Sequence, residues 1–410
     1  MNLPALRFKE FSGEWKLHSL GAITETITSG SRDWAKYYSK SGSKFIRMTN
    51  LSREGIQLKL DDLRFVDIKS TSTDGERTSL IQGDILLSIT AELGKIGWIP
   101  SNFGKAFINQ HTALIRLKSA FANSTFTAHL LSTSKLNKQI NGLNDAGAKA
   151  GLNLSTIKSM HITLPVLKEQ TKIANFLTAV DEKITQLTQK HEHLTQYKKG
   201  VMQQIFSQEL RFKDDDGLDF PDWEEATLGE VAKFRRGSFP QPYGLAKWYD
   251  DVNGMPFIQV FDVSDNFKLK NTTKRSISKE AQQQSVFVKA GSILITIQGS
   301  IGRIAVTQYD AYVDRTLLLF ESFKVKINKH YFAYTLFLLF EIEKEKAPGG
   351  IIKTITKEVL TDFKVFICDY EEQTKIANFL TAIDNKITAT QTQLQAVKQY
   401  KQGLLQQMFV

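Results

Sequence analysis

The 410-residue chain holds one cysteine and eight prolines, and no apolar run in it reaches the length of roughly eighteen residues that a membrane helix needs. A lone Cys368 excludes an internal disulfide and a thiolate cluster, and it reads as a small buried hydrophobe. The opening Met1-Asn-Leu-Pro-Ala5 lacks a signal-peptide pattern, so the expected location is cytoplasmic, with no membrane partner. Catalytic motifs are missing as well. Gly94-Lys95 is followed by Ile96 and Gly104-Lys105 by Ala106, so neither is a phosphate-binding loop. The Asn/Asp-Pro-Pro-aromatic motif of an amino-methyltransferase is not found. Pro221-Asp222 with Glu224 and Glu225 follows Asp214-Asp-Asp216 and reads as a solvated acidic turn rather than a nuclease site. His111 has no cysteine or histidine at metal-ligand spacing and is expected to be structural or DNA-facing. The chain is therefore expected to carry no catalytic residue, metal or cofactor of its own.

What the chain does have is itself, twice. Glu169-Gln-Thr-Lys-Ile-Ala-Asn-Phe-Leu-Thr-Ala179 recurs letter for letter as Glu372-Gln-Thr-Lys-Ile-Ala-Asn-Phe-Leu-Thr-Ala382, a spacing of 203 residues. Weaker echoes accompany it. Leu6-Arg-Phe-Lys9 with Trp15 and Leu20-Gly21 returns as Leu210-Arg-Phe-Lys213 with Trp223 and Leu228-Gly229. Gly83 to Ile89 with Leu93-Gly-Lys-Ile96 returns as Gly291 to Ile297 with Ile301-Gly-Arg-Ile304, apolar runs that look like strands leading into turns. Each unit thus has a variable body and a nearly constant tail, the mark of an internal duplication with pseudo-twofold symmetry.

The tail reads as a helix. Ile173, Leu177, Val180, Ile184, Leu187, His191, Leu194, Lys198, Val201 and Ile205 alternate spacings of four and three, the seam of a coiled coil. The second copy repeats that spacing from Ile376 to Met408. The second body leaves the end of one helix and returns at the start of the other, so the two should run antiparallel, with the bodies at opposite ends of a rod. Because Leu6-Arg-Phe-Lys9 opens the chain as Leu210-Arg-Phe-Lys213 follows the first helix, the termini should meet. Ser124 to Ile140 and His330 to Lys346 suggest helices within the bodies, so each body is mixed α and β. The expected fold is α+β, two mixed domains at 1–163 and 210–367 joined by antiparallel coiled-coil helices at 164–209 and 368–410.

Net charge is +10, and the two tails carry only +2 of it, so the excess lies in the bodies. Arg32, Lys36, Lys40, Lys44, Arg47 and Arg53 stand against Asp33 alone, interleaved with Trp34, Tyr37 and Tyr38. Basic and aromatic residues mixed with glycine and serine fit a loop that touches phosphates and base edges, although a basic run taken singly is more often a solvated face. The second body places Arg235, Arg236, Gln241, Tyr243, Lys247 and Gln259 at the matching place. Different polar residues on one scaffold are expected of readers of two sequences, and exchanging Arg47 for Gln259 would change the base preferred. Asn50 and, beside the turns, Lys95, Gln298 and Arg303 complete the candidate DNA contacts.

The run Leu164-Pro-Val-Leu-Lys-Glu-Gln-Thr-Lys-Ile-Ala-Asn-Phe-Leu177, which ends a variable body, opens a long helix and recurs near the end of the chain, resembles the specificity subunit of a type I restriction-modification system. In the second copy Cys368 and Asp369 replace its proline-containing lead-in. The resemblance implies two target-recognition domains, each reading one half of a split DNA site. It implies helices that act as ruler and as platform for two methyltransferase subunits, with Gln170, Lys172, Gln373 and Lys375 expected to be exposed for that contact. It also implies restriction subunits, S-adenosylmethionine in the methyltransferase, and ATP with magnesium in the restriction subunit. The alternatives are the specificity part of a related split enzyme with a fused methylase-nuclease partner, and a coiled-coil adaptor that binds no DNA.

Overall fold

The computed structural model describes residues 3–68, 75–143, 151–346 and 357–409. Its longest elements are the helices Leu167–Phe206, of 40 residues, and Tyr370–Gln407, of 38. The expected seam is their buried stripe: Ile173, Leu177, Leu187, Val201 and Ile205 are buried, as are Ile376, Leu380, Ile383, Leu394 and Leu404. Proline is absent from both helices, and an apolar stripe this narrow is stable only when another helix covers it.

The chain forms two compact units, one of residues up to Thr188 together with those from Thr392 onward, the other of Gln189–Gln391. Each unit contains the first half of one long helix and the last half of the other. In the first unit Ile173, Ala174 and Leu177 share a core with Leu404, Met408 and Phe409. In the second, Val201, Met202 and Ile205 share one with Ile376, Leu380 and Ile383. The pairing is antiparallel, and in each unit it carries one ion pair. Lys401, 6% exposed, meets Asp181, and Lys198 meets Asp384 at 2.6 Å. Both lysines occupy seam positions that an apolar residue would ordinarily fill, and a charged residue there sets which register the two helices adopt. The expected meeting of the termini is observed in the first unit, where the Leu6 amide donates to the Gln407 carbonyl at 2.9 Å.

Strands of the first unit are β1 Lys16–Ser19, β2 Thr24–Ser29, β3 Tyr38–Ser39, β4 Ser43–Ile46, β5 Arg64–Val66, β6 Ile85–Ser88, β7 Ile96–Trp98, β8 Ala106–Ile108, β9 Thr112–Leu117 and β10 His161–Leu164. They build a sheet of order β2-β9-β6-β7, a second of order β3-β5-β4-β8, and a β1-β10 pair. The second unit has β11 Glu224–Thr227, β12 Ala232–Arg236, β13 Met255–Ile258, β14 Arg275–Ile277, β15 Val286–Val288, β16 Ile293–Thr296, β17 Ile304–Val306, β18 Ala311–Val313, β19 Leu317–Phe323 and β20 Lys364–Ile367. Its sheets, β12-β19-β16-β17 and β14-β13-β18-β15 with a β11-β20 pair, repeat the first unit strand for strand except at one place. The fourth strand of the second sheet lies beside β5 in one unit and beside β18 in the other. The suspected helix from Ser124 is two, Ser124–Ser132 and Ser134–Gly142, because the Thr133 side chain accepts from the Leu136 amide and caps a new helix there.

The constant Glu-Gln pair is the clasp that fixes each domain to its helix. The Glu169 carboxylate, fully buried, accepts from Arg7 Nε and Nη2 at 2.7 Å each and from the Trp15 indole at 3.3 Å. Glu372 repeats this with Arg211 at 3.1 and 2.8 Å and Trp223 at 3.0 Å. Gln170 donates to the Pro165 and Phe121 carbonyls and accepts from the Asn123 amide. Gln373 does the same with Cys368, Lys326 and Asn328. The lead-in through Cys368 therefore matches the one through Pro165, since only a backbone carbonyl is used. The expected exposure of Gln170 and Gln373 is wrong, because each is 1% exposed and its amide is spent on backbone groups of its own unit. Lys172 pairs with Glu10 over the Phe8 ring, and Lys375 with Asp215 at 2.7 Å, so neither is a free surface cation.

Candidate nucleic-acid interface

In both domains the first sheet strand runs into a glycine pressed against the segment that follows the parallel strand of the second sheet. A Cβ on Gly30 would lie 2.1 Å from the Ile108 carbonyl oxygen and 2.4 Å from that of Asn109. On Gly237 it would lie 2.3 Å from the Val313 oxygen and 2.4 Å from that of Asp314. Only glycine permits this approach, and it fixes the residues on either side as equivalent positions. A second fixed point is the hairpin turn after β6 and β16, where Gly94 and Gly302 have φ of 83° and 86° and donate to Ser88 and Thr296 at 3.1 and 2.9 Å. Ser29, Thr90 and Gln110 of the first domain then correspond to Arg236, Gln298 and Arg315 of the second.

Around Gly237 the side chains of Arg236, Gln298 and Arg315 line a cavity of about 470 Å³ that contains no acid. Arg236 Nε donates to the Arg315 carbonyl at 3.1 Å, which holds one arginine beside the other. The guanidinium of Arg315 lies 5.4 Å from the Tyr243 ring centre and has no hydrogen-bond or ion-pair partner among the described residues. Beneath it, Gln259 donates to the Tyr243 hydroxyl at 2.6 Å, and that hydroxyl donates to the buried Asp314 carboxylate. Burial first, and Asp314 second, push the Tyr243 hydroxyl up from its ordinary range, so it stays a neutral donor at all working pH. Asp314 also accepts from the Thr316 amide at 2.8 Å, and no ion pair joins it to Arg236 or Arg315 among the described residues. In the first domain the same place holds a hydrogen-bonded chain, with Gln110 Nε2 at 3.0 Å from His111 Nε2 and Thr90 Oγ1 at 2.8 Å from His111 Nδ1.

The other expected contacts divide into three groups. Arg32, Lys36, Lys40, Arg235, Gln241 and Lys247 are exposed. Lys36 lies over the Tyr37 ring, Lys247 pairs with Glu280 over the Trp248 ring, and Arg235 Nη1 stands 3.9 Å from Glu321. Lys44, Arg47, Lys95 and Arg303 are committed inside the domain, to the Phe103 carbonyl, Asp62, Glu92 and Asp265 respectively. Asn50 is a correction. It is 1% exposed, accepts from the Arg47 amide and donates to the Lys59 carbonyl, so it shapes a turn and meets no ligand. Trp34 is buried too, packed at a tilt against Phe45 and Phe107 with ring centres 4.9 and 5.4 Å away, and Trp248 holds the like place in the second domain. Sequence reading missed Arg315, Ser29, Thr90 and Gln110. The signal that finds them is the alignment of the two copies through Gly30 with Gly237 and Gly94 with Gly302.

The type I restriction modification DNA specificity domain model matches residues 13–196 and again residues 221–399. This chain belongs to that family. It carries the domain twice, and specificity subunits of the family are non-catalytic. The chain is 26% identical to the putative type I restriction enzyme MjaX specificity subunit of Methanocaldococcus jannaschii, over 98% of this chain and 95% of the relative. It is 26% identical to the EcoBI specificity subunit of Escherichia coli over 56% of this chain and 51% of that one. Its fold matches the type I S subunit from M. genitalium with a TM-score of 0.65 at 16% identity, covering 100% and 99% of the two chains. A chain solved in work on complex assembly of the type I system matches with a TM-score of 0.55 at 19% identity, covering 96% and 97%. Among the described residues no cluster of histidine, cysteine and carboxylate side chains is arranged to hold a metal, and no helix is long and apolar enough to cross a membrane.

Proposed function

We propose that the two domains read the two halves of a split, asymmetric DNA site, and that the long helices dock two methyltransferase subunits and set the unread spacer. The observation that carries this reading is the repetition of one scaffold with different polar side chains at matched edge positions: Ser29, Thr90 and Gln110 in one domain, Arg236, Gln298 and Arg315 in the other. A scaffold that must recognise the same thing twice would repeat those side chains. One that must recognise two sequences would repeat only the frame.

Exposed Arg32, Lys36, Lys40, Arg235 and Lys247 supply phosphate contacts, whose affinity falls as salt rises. The half-sites lie about one helical turn apart, roughly 10 base pairs centre to centre, because both domains address one face of the duplex. Catalysis belongs to the partners: methyl transfer from S-adenosylmethionine in the methyltransferase subunits, and ATP- and magnesium-dependent cleavage in the restriction subunits. The domains are taken as 1–163 and 210–367, the helical spacers as 164–209 and 368–410, and the complex as cytoplasmic.

The test is to co-express the chain with its neighbouring methyltransferase gene in a host without its own modification and to map N6-methyladenine across the genome. A split motif with a fixed spacer is the expected result. A stable complex that leaves the genome unmethylated would overturn the reading.

A further inference from the structure

The structure assigns Arg315, with Gln298 and Arg236 at its sides, as the residues of the second domain that recognise a guanine edge. This rests on the proposed DNA-reading role and names the base class and the residues within it. Three features carry it. The cavity is lined by Arg236, Gly237, Gln298 and Arg315 with no carboxylate among them, so its two guanidinium groups and the Gln298 amide NH2 make donors its main offer, while Asp314 is bound by Tyr243 and Thr316. The site is also built. Gly237 presses the strand end against the Val313 and Asp314 carbonyls, Arg236 is tied to the Arg315 backbone, and the Tyr243 ring lies near the Arg315 guanidinium. Finally, the guanidinium that faces the cavity has no hydrogen-bond or ion-pair partner among the described residues, unlike Arg47, Arg303 and Lys95, which do.

Two acceptor groups on DNA suit such a donor set, the O6 and N7 edge of guanine and a backbone phosphate. The edge is favoured because a planar guanidinium beside an amide, with its backbone locked, matches two acceptors in one plane, whereas a phosphate needs only a point charge such as an exposed lysine supplies. In the first domain Ser29, Thr90 and Gln110 hold those places beside His111, with no arginine among them, so that half-site uses a different base there.

The test uses the complex of full-length chain and methyltransferase. Wild type and Arg315→Gln are compared by genome-wide methylation mapping, and wild-type complex is titrated with duplexes carrying 7-deazaguanine, which lacks the N7 acceptor, at each guanine of the motif in turn. The expected result is relaxation or replacement of one guanine in one half-site, with the other half-site and the spacer unchanged. One 7-deazaguanine position should weaken binding by about fivefold to a hundredfold. An unchanged motif at uniformly lower occupancy, with no sensitive guanine, would show a phosphate contact and overturn the assignment. Should Arg315→Gln misfold, the unmodified protein with the substituted duplexes still decides it. No split motif for wild type would instead sink the DNA-reading role on which the assignment rests.

Discussion

Replacing Glu169 by glutamine should loosen the first unit and leave the second intact, and Glu372→Gln should do the converse. Each carboxylate is fully buried and accepts three hydrogen bonds, two from one guanidinium and one from an indole. Charge-assisted bonds are worth about 1.5–3 kcal/mol each, but that sum ignores the desolvation that the folded state has already accepted. Breaking a buried pair costs about 3–5 kcal/mol, and Arg7 retains 13% side-chain exposure, so water recovers part of the loss. About 3 kcal/mol is the expected penalty. Glutamine matches the shape of glutamate, so packing is preserved and the change isolates the charge and one acceptor.

Amide exchange read by mass spectrometry reports each unit separately. Glu169→Gln should lower protection in β1, β10 and the start of the first long helix by about 3 kcal/mol, with no change in β11 or β20. A double-mutant cycle with Arg7→Leu should return a coupling of at least about 1.5 kcal/mol. If both variants stay within about 0.5 kcal/mol of wild type, or if either weakens both units equally, the clasp does not hold its domain and the account of the repeat fails.

Burial, with Lys401 adding to it, pushes the His129 imidazole down to about 3, so the folded first unit holds it neutral while the unfolded chain protonates it near 6.5. Its contribution is present above pH 6.5 and lost as pH falls; between pH 7.5 and 5.5 wild type should lose about 1.4 kcal/mol more than His129→Phe in denaturant titrations, and equal losses would contradict the burial. Asp181, whose carboxyl burial pushes up, stands 3.7 Å from His129 Nε2, so its titration is coupled to the imidazole and the comparison reads the two together. Matched seven-residue insertions within Lys183–Gln196 and Lys386–Gln399 keep the Asp181–Lys401 and Lys198–Asp384 pairs and should lengthen the methylated motif's spacer with both half-sites unchanged. Altered half-sites with an unchanged spacer would end the ruler idea. Because Gln170 and Gln373 are buried, the platform needs other repeated residues, and Tyr197 and Tyr400, 54% and 55% exposed, are the largest. Alanine at both should lower methyltransferase affinity at least tenfold in mass photometry without changing amide exchange, and unaltered affinity would place the platform elsewhere.

The helices, their antiparallel pairing and the meeting of the termini were legible because a seam is a one-dimensional pattern and a duplication supplies its own partner. The strand order was not legible, since pairing β4 with β8 in parallel joins residues 62 apart with no local signal. Asn50 and Trp34 misled for a related reason. In a list of residues a buried turn former and an exposed base reader look alike, and only the Arg47 amide and the Phe107 ring distinguish them. Composition did find the basic segment at Arg32 to Arg47, yet it could not tell Arg32 from Arg47, one exposed and the other bound to Asp62.

The repeat itself explains which residues mislead. Many of the repeated positions are used inside their own unit: Arg7 and Arg211 on the clasp glutamates, Trp15 and Trp223 on the same carboxylates, Phe8 against Phe176 and Phe212 against Phe379 at 5.9 and 5.7 Å, and Leu20 and Leu228 buried. Identity at these positions therefore reports shared architecture, and it is a poor guide to the surface that must differ between two half-sites. The informative positions for recognition are those where the backbone is forced to be the same and the side chain is not. Gly30 and Gly237 make the frame identical to within a few tenths of an ångström in their closest carbonyl contacts, while their neighbours change from serine to arginine. A frame held so tightly lets one side chain be exchanged without moving its support, which is the physical condition for altering one base of a site and no other.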